Sequence, residues 1–92
     1  MKIMTPTIHM NGSNAESLKN EYMAAYRAAS DLIHAFHRID LHARDYYVKP
    51  EPDAFEQARN ESSARYMAVR RIREELEFII LAIQTQQPSP KV

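Results

Sequence analysis

The fold is decided by residues 13–40, SNAESLKNEYMAAYRAASDLIHAFHRID. Apolar side chains recur here at alternating spacings of four and three. They are Leu18, Tyr22, Ala25, Ala29, Leu32, Phe36 and Ile39, with Tyr26 and Ile33 widening the stripe. This heptad-like spacing is typical of a helix that packs along its length against another helix. Because Gly and Pro are absent from residues 13–49, we predict a helix that begins at the Ser13–Glu16 capping box and ends near residue 40.

A second amphipathic pattern occupies the other half of the chain. Asp53–Glu56 repeats the capping-box spacing, directly after Lys49–Pro52, whose two prolines cannot lie in a helix interior. We predict a second helix from there to about Thr85. Its apolar face should comprise Phe55, Ala58, Ser62, Val69, Ile72, Leu76, Ile80 and Ile83. Two long helices with a short joint predict a mainly α fold, an antiparallel two-helix hairpin.

The N-terminal residues 1–12 predict a short extended segment. Ile8, His9 and Met10 alternate as in a strand, which is not stable alone. If both helices begin level at the joint, the second outruns the first by about 6 residues at the far end. That overhang, Phe78–Ile83, is apolar on every side, so we expect the N-terminal segment to dock there. We expect one helical-hairpin domain over residues 1–85 and a disordered tail over 86–92.

Composition excludes several classes of function. Twelve basic residues balance twelve acidic ones, so no overall charge directs the chain to nucleic acid or to a membrane. The chain has no cysteine, which excludes disulfides and thiolate metal sites, and its one glycine excludes a phosphate-cradling loop. No uncharged apolar run approaches the ~18 residues of a membrane span. We therefore expect no membrane partner.

Chemistry-bearing clusters are weak in this sequence. His34, His37, Asp40 and His42 lie close together in the chain. A structural zinc site, however, usually takes four ligands with cysteines among them. No serine or threonine stands in a nucleophile motif, and no carboxylate pair is placed in an apolar setting. We expect neither an enzyme nor a metal, cofactor or small-molecule substrate.

Arginine placement is the strongest functional signal. Between Arg59 and Arg73 there are five arginines against one acid, Glu61. Arg59, Tyr66, Arg70 and Arg73 fall within about 60° on a helical wheel, close to Ser62 and Ser63. A guanidinium matches phosphate and carboxylate, so this stripe is a candidate surface for a nucleic-acid backbone or an acidic protein groove.

Two alternatives stay open at this stage. The arginines are also spaced for i, i+4 pairs with Glu74, Glu75 and Glu77, which would make the stripe a solvated face. In the connection, Tyr46 and Tyr47 are either a lid on the hairpin or exposed anchors for a partner, and Lys49 adds charge beside them.

Two stretches of the sequence resemble a known group of proteins. They are IHMNGS at residues 8–13 and RDYYV at residues 44–48, the latter followed by PDAF at 52–55. They resemble small proteins of phages and prophages of proteobacteria over nearly the whole chain. The family likeness is to phage-encoded anti-CRISPR proteins that act on the type I-F system. Such proteins share no common motif, so no site residue carries over.

The resemblance implies an inhibitor in the host bacterial cytoplasm. Its partners would be subunits of the crRNA-guided surveillance complex, with guide-RNA phosphates as a further contact. Such an inhibitor would block either the recognition of target DNA or the recruitment of the nuclease-helicase. A net-neutral chain with an arginine stripe does not mimic DNA, which favours steric blocking of guide RNA–target DNA pairing. The alternative function is a helical phage assembly protein that acts as a homodimeric protein–protein interaction module.

Overall fold

A computed structural model describes residues 1–87 and confirms the helical hairpin. Helix α1 spans Ala15–His37 and helix α2 spans Ala54–Gln84, with a single 3-10 turn at Ala43–Asp45 between them. Residues 1–9 have no helix or strand, and residues 10–12 form a turn in which the Gly12 N–H donates to the His9 carbonyl at 3.1 Å. No strand occurs anywhere in the part of the chain that the structure describes. The two helices pack against each other antiparallel. None of the helices within residues 1–87 combines the length and the apolar character that a bilayer crossing requires.

Helix α1 begins one residue later than the capping box predicts. Asn14, and not Ser13, is the N-cap, and its Oδ1 accepts hydrogen bonds from the backbone N–H of Glu16 at 2.9 Å and of Ser17 at 3.1 Å. These bonds satisfy two N–H groups that have no partner inside the helix. At α2 the predicted cap position, Asp53, is correct, but its side chain makes no capping hydrogen bond.

The Asn14 cap makes a small, local prediction. Asn14→Ala should lower the free energy of unfolding by about 1 kcal/mol, because both N–H groups lose their acceptor. Ser13→Ala is the matched control and should leave stability unchanged. Urea unfolding followed by circular dichroism measures both. Equal losses in the two variants would contradict Asn14 as the cap.

Helix α1 also ends earlier than residue 40. Arg38 N–H donates to the Ala35 carbonyl and Ile39 N–H donates to the Phe36 carbonyl, both at 3.1 Å, so the last turn tightens into i→i−3 bonds. Nothing in the local sequence, neither Gly nor Pro, marks this stop. The chain turns here because residues 38–53 fold back over the start of α2.

The register of the hairpin corrects the expected overhang. His37, the last residue of α1, stacks on Tyr66 with ring centroids 5.2 Å apart. At the other end, Gln87 accepts from Lys19 Nζ at 3.5 Å and donates to Glu16 Oε2 at 3.3 Å. The far ends are therefore level, and the extra length of α2 lies at the joint. The assumption that the helices start level at the joint was wrong.

The connection covers that extra length of α2. Tyr46 packs on Phe55, with ring centroids 6.0 Å apart, and both side chains are half-buried. Leu41 is also half-buried. Residues 38–53 thus supply the apolar cover that α1 supplies further along the hairpin, which is why α1 is the shorter helix.

The N-terminal segment is tied to the far end of α2 by one side chain. Gln86 Oε1 accepts from the Ile8 N–H at 2.8 Å, and Gln86 Nε2 donates to the Pro6 carbonyl at 3.0 Å. Nearer its start, Met1 is 63% exposed and lines a shallow depression together with Phe78 and Leu81. Met10 is 97% exposed and does not dock. Gln86 and Gln87 were expected to begin a disordered tail but make specific contacts, and residues 88–92 of that tail lie outside the described residues.

The helix–helix seam is rotated relative to the predicted stripe. Its buried residues are Ala29, Ile33, Ile80 and Ile83. On α1, Tyr26 and Ile33 face α2, whereas the predicted seam residues Ala25, Leu32 and Ile39 are exposed. On α2, Ile72 was predicted in the core but is 49% exposed. The heptad spacing predicts an apolar stripe on each helix. It does not predict which residues of that stripe contact the other helix.

Candidate binding groove

The four residues of the predicted stripe lie along one edge of α2, but not at equal depth. Arg59 and Arg70 are exposed, while Tyr66 and Arg73 are half-buried at the seam. His37 and Tyr66 lie at the same level of the antiparallel hairpin. Ser30 lies seven residues before His37 and Arg73 lies seven residues after Tyr66, so Arg73 is level with the half-buried Ser30. Sequence reasoning placed the stripe beside the core; the rotated seam brings two of its members into contact with the core.

A shallow groove of about 320 Å³ lies between the helices at this edge. We call it the arginine groove. Its lining residues are Phe36, His37, Leu41, Arg59, Ser62, Ser63 and Tyr66. None of them is acidic, and Arg59, His37 and the two serines all offer hydrogen-bond donors. Arg70 continues the groove along α2, because its Cζ lies 6.0 Å from the centroid of the Tyr66 ring.

Arg59 is a groove-lining cation that has no ion-pair partner among residues 1–87. Its Cζ lies 5.6 Å from the centroid of the Phe55 ring, which supports the guanidinium from below. Within residues 1–87, no carboxylate comes within 4.0 Å of it. A guanidinium with five donors, an aromatic support and no intramolecular anion can take a phosphate or a carboxylate.

Arg73 is held differently. It too has no carboxylate within 4.0 Å among residues 1–87, and the Arg73–Glu77 pair expected from spacing is not formed there. No buried side-chain nitrogen or oxygen in the described part of the chain lacks a partner. The Arg73 stem therefore packs at the seam while its guanidinium reaches solvent.

The remaining arginines of α2 form pairs along the helix surface. Arg70 lies 3.8 Å from Glu74, and Arg71 lies 3.9 Å from Glu75, both as expected from the spacing. Arg65 pairs with Glu61 at 3.7 Å. All these side chains are more than a third exposed, so each pair contributes only a few tenths of a kcal/mol. Such weak pairs open readily to admit another anion.

The joint residues divide into two roles. Tyr46 acts as the lid, packed on Phe55, whereas Tyr47 is 79% exposed and Lys49 is exposed beside it. Both contribute to a separate depression of about 280 Å³ with Pro52. Tyr47 and Lys49 do not line the arginine groove. Tyr46 adjoins it through Phe55, which contacts both Tyr46 and Arg59.

The histidines do not gather around a common point. His37 stacks on Tyr66, and His42 Nδ1 accepts from the Arg44 N–H at 3.1 Å. Asp40 lies 4.0 Å from Arg44. Within residues 1–87, no group of three or more His, Asp or Glu side chains is placed to hold a metal ion.

Sequence reasoning missed His37 and Leu41 as groove residues. The predicted apolar stripe of the first helix, which runs from Leu18 to Ile39, does not include His37. The spacing of Tyr22, Tyr26, Ala29 and Ile33, which is also four and three, centres the seam elsewhere and puts His37 at its edge.

The groove offers donors and rings but little enclosure. His37 and Arg70 cover the Tyr66 ring, so Tyr66 positions its neighbours and is not a free stacking platform. An arrangement of this kind binds extended anionic surfaces, such as a phosphate backbone or an acidic protein edge. Comparison with known proteins gives no relative: no family model, no curated protein and no solved structure matches this chain.

Proposed function

We propose that this protein is an inhibitor of a type I-F CRISPR–Cas surveillance complex in the host cytoplasm. It binds the complex through the arginine groove and sterically blocks guide RNA–target DNA pairing. The observation that carries the proposal is Arg59, which lines an acid-free groove and has no carboxylate within 4.0 Å among residues 1–87. The resemblance of residues 8–13 and 44–48 to phage proteins supplies the choice of complex.

Charge supports contact with an anion and disfavours DNA mimicry. A DNA mimic needs a dense acidic surface that enters the basic DNA channel of the complex. Here the chain is neutral in net charge. Three acids of α2, Glu61, Glu74 and Glu75, are paired with arginines. The groove thus fits exposed guide-RNA phosphates or an acidic patch of a subunit.

The test measures binding of target DNA to the purified complex in the presence of this protein. Arg59→Glu with Arg70→Glu should weaken inhibition at least about tenfold, equivalent to roughly 1.4 kcal/mol, because attraction at two sites becomes repulsion. Both side chains are exposed, so the circular dichroism spectrum should not change. Arg73 is left intact, since a glutamate at the seam would damage the fold.

The matched control is Arg65→Glu with Arg71→Glu, which changes the net charge equally on the same helix outside the groove. It should inhibit as wild type does. If the Arg59/Arg70 variant inhibits as strongly as this control does, the arginine groove is not the binding surface. If the wild-type protein leaves DNA binding intact but prevents nuclease recruitment, guide RNA–target DNA pairing is not the step that it blocks. No effect on either step would refute the inhibitor function itself.

A further inference from the structure

The apolar side chains of the arginine groove are not placed to anchor a protein partner. Phe36, Leu41 and Tyr66 line the groove, and all three are half-buried within the hairpin. His37 and Arg70 also lie against the Tyr66 ring. Protein–protein interfaces are centred on aromatic or aliphatic side chains that insert into the partner. An acidic protein edge would therefore gain ion pairs in this groove but no apolar core.

The polar side chains of the groove are of the kinds that contact phosphate. Ser62 and Ser63 follow Arg59 by about one helical turn, and Arg70 follows it by about three turns. Arginine and serine are among the side chains that make most protein contacts to phosphate oxygens in nucleic-acid complexes. Interfaces with nucleic acid are also more polar and more positively charged than those between proteins. The groove therefore matches a phosphodiester backbone better than an acidic protein.

The row of arginines along this edge has a defined length. Arg59 and Arg73 are 14 residues apart, so the row extends over about 21 Å of helix. Glu56 lies about one turn before the row and Glu77 about one turn after it. On the helical wheel, each acid falls within about 60° of the nearest arginine of the row. Because acids repel phosphate, the row matches roughly six nucleotides of one strand, at ~3.4 Å per nucleotide.

We propose that the arginine groove binds the phosphodiester backbone of a single nucleic-acid strand without reading its bases. Arg59, Arg70 and Arg73 each neutralise one phosphate, and the hydroxyls of Ser62 and Ser63 donate to phosphate oxygens between them. In the proposed inhibitor this strand is the guide RNA. The inference rests on the proposed function only for that identity.

The covered ring of Tyr66 sets the character of this binding. Proteins that hold single strands tightly stack bases on open aromatic rings. Here His37 lies 5.2 Å from the ring centroid of Tyr66, and the Cζ of Arg70 lies 6.0 Å from it. Binding should therefore be tolerant of base sequence and governed by salt.

The experiment measures binding of the full chain to a labelled single-stranded RNA of about six nucleotides by fluorescence anisotropy, between about 20 and 200 mM salt. Each neutralised phosphate of a single strand contributes about −0.7 to the slope of log K against log salt, so three should give about −2. Arg59→Gln should make the slope shallower by about 0.7. An unchanged slope in Arg59→Gln, or no RNA binding at the lowest salt, would overturn the proposal.

Arg71→Gln is the matched control. It removes the same charge from the same helix, at a residue that pairs with Glu75 and does not line the groove. Its affinity and its salt slope should equal those of wild type. If Arg71→Gln changes the slope as much as Arg59→Gln does, the RNA responds to overall charge and not to the groove, and the proposal is wrong.

Three further ligands test which chemistry the groove recognises. Hexaglutamate should bind at least about fivefold more weakly than RNA, because successive side chains of an extended peptide point to opposite sides. Single-stranded DNA of the same sequence, and RNA of only A or only U, should bind within about threefold of the first RNA, because phosphate contacts carry no sequence information. Equal affinity for hexaglutamate would assign the groove to an acidic protein. A tenfold preference for one sugar or one base would contradict a contact made only with the backbone.

The inference and the proposed function fail separately, because these measurements use the protein and the strand alone. A protein that binds RNA through the groove but leaves the surveillance complex active would refute the inhibitor and support the inference. A protein that inhibits the complex without binding RNA would refute the inference and leave an acidic subunit as the partner of the groove.

Discussion

Ile83→Ala should lower the free energy of unfolding by about 2–4 kcal/mol. Ile83 is 0% exposed and is the only side chain among residues 1–87 that is fully buried. Its removal leaves a cavity that the surrounding helices cannot readily close. Because so small a domain has only on the order of 5 kcal/mol of stability, this one change should remove about half of it or more.

Thermal and urea unfolding at one fixed protein concentration measure this effect. Met67→Ala is the matched control, since Met67 is 56% exposed on the same helix and its replacement should be nearly neutral. If the two variants unfold at the same midpoint, the core does not lie at Ile83. Ile72→Ala should fall between them, because Ile72 is half exposed.

Deleting residues 1–10 should cost about 3 kcal/mol and make the protein aggregate. Ile3, Pro6 and Ile8 are half-buried against the far end of the hairpin. Covering a large apolar side chain fully contributes ~1.5–3 kcal/mol, so three half-covered ones reach this figure. The deletion also removes Met1 from the depression that it lines with Phe78 and Leu81, which are already 37% and 49% exposed.

Point variants separate the causes of that loss. Gln86→Ala removes the hydrogen bonds to Ile8 and Pro6 while leaving the apolar contacts, and should cost about 1 kcal/mol. Met10→Ala, at an exposed residue of the same segment, should cost nothing measurable. Unfolding midpoints and light scattering record both stability and aggregation. If the protein that lacks residues 1–10 stays stable and soluble, the N-terminal segment does not contribute to the stability of the hairpin.

The parts of the fold that follow from local patterns are predictable from the sequence. The two helices, the Pro-rich joint and the end of α2 near Thr85 each follow from periodicity, caps and breakers. The end of α1 is not predictable in this way, because no residue near His37 disfavours a helix. The helix ends there because the residues that follow pack over the start of α2. Long-range packing decides it.

The candidate site shows the same limit. Spacing predicts that Arg59, Tyr66, Arg70 and Arg73 share one edge of α2, and they do. Spacing does not give the depth of each residue, because depth depends on the crossing of two helices. Arg73 therefore lies at the seam, and His37 of α1 completes a groove that no single-helix pattern contains.

The level far ends of the hairpin determine its kinetics. Tyr46 and Phe55 are near neighbours in the chain, whereas Glu16 and Gln87 are 71 residues apart and Ile8 and Gln86 are 78 apart. The entropy cost of closing a loop rises with its length, so contacts near the joint should form before contacts at the far end of the hairpin. The Gln86 contacts then form last and open first. Amide hydrogens near residues 8 and 86 should exchange with solvent sooner than those beside Ile33.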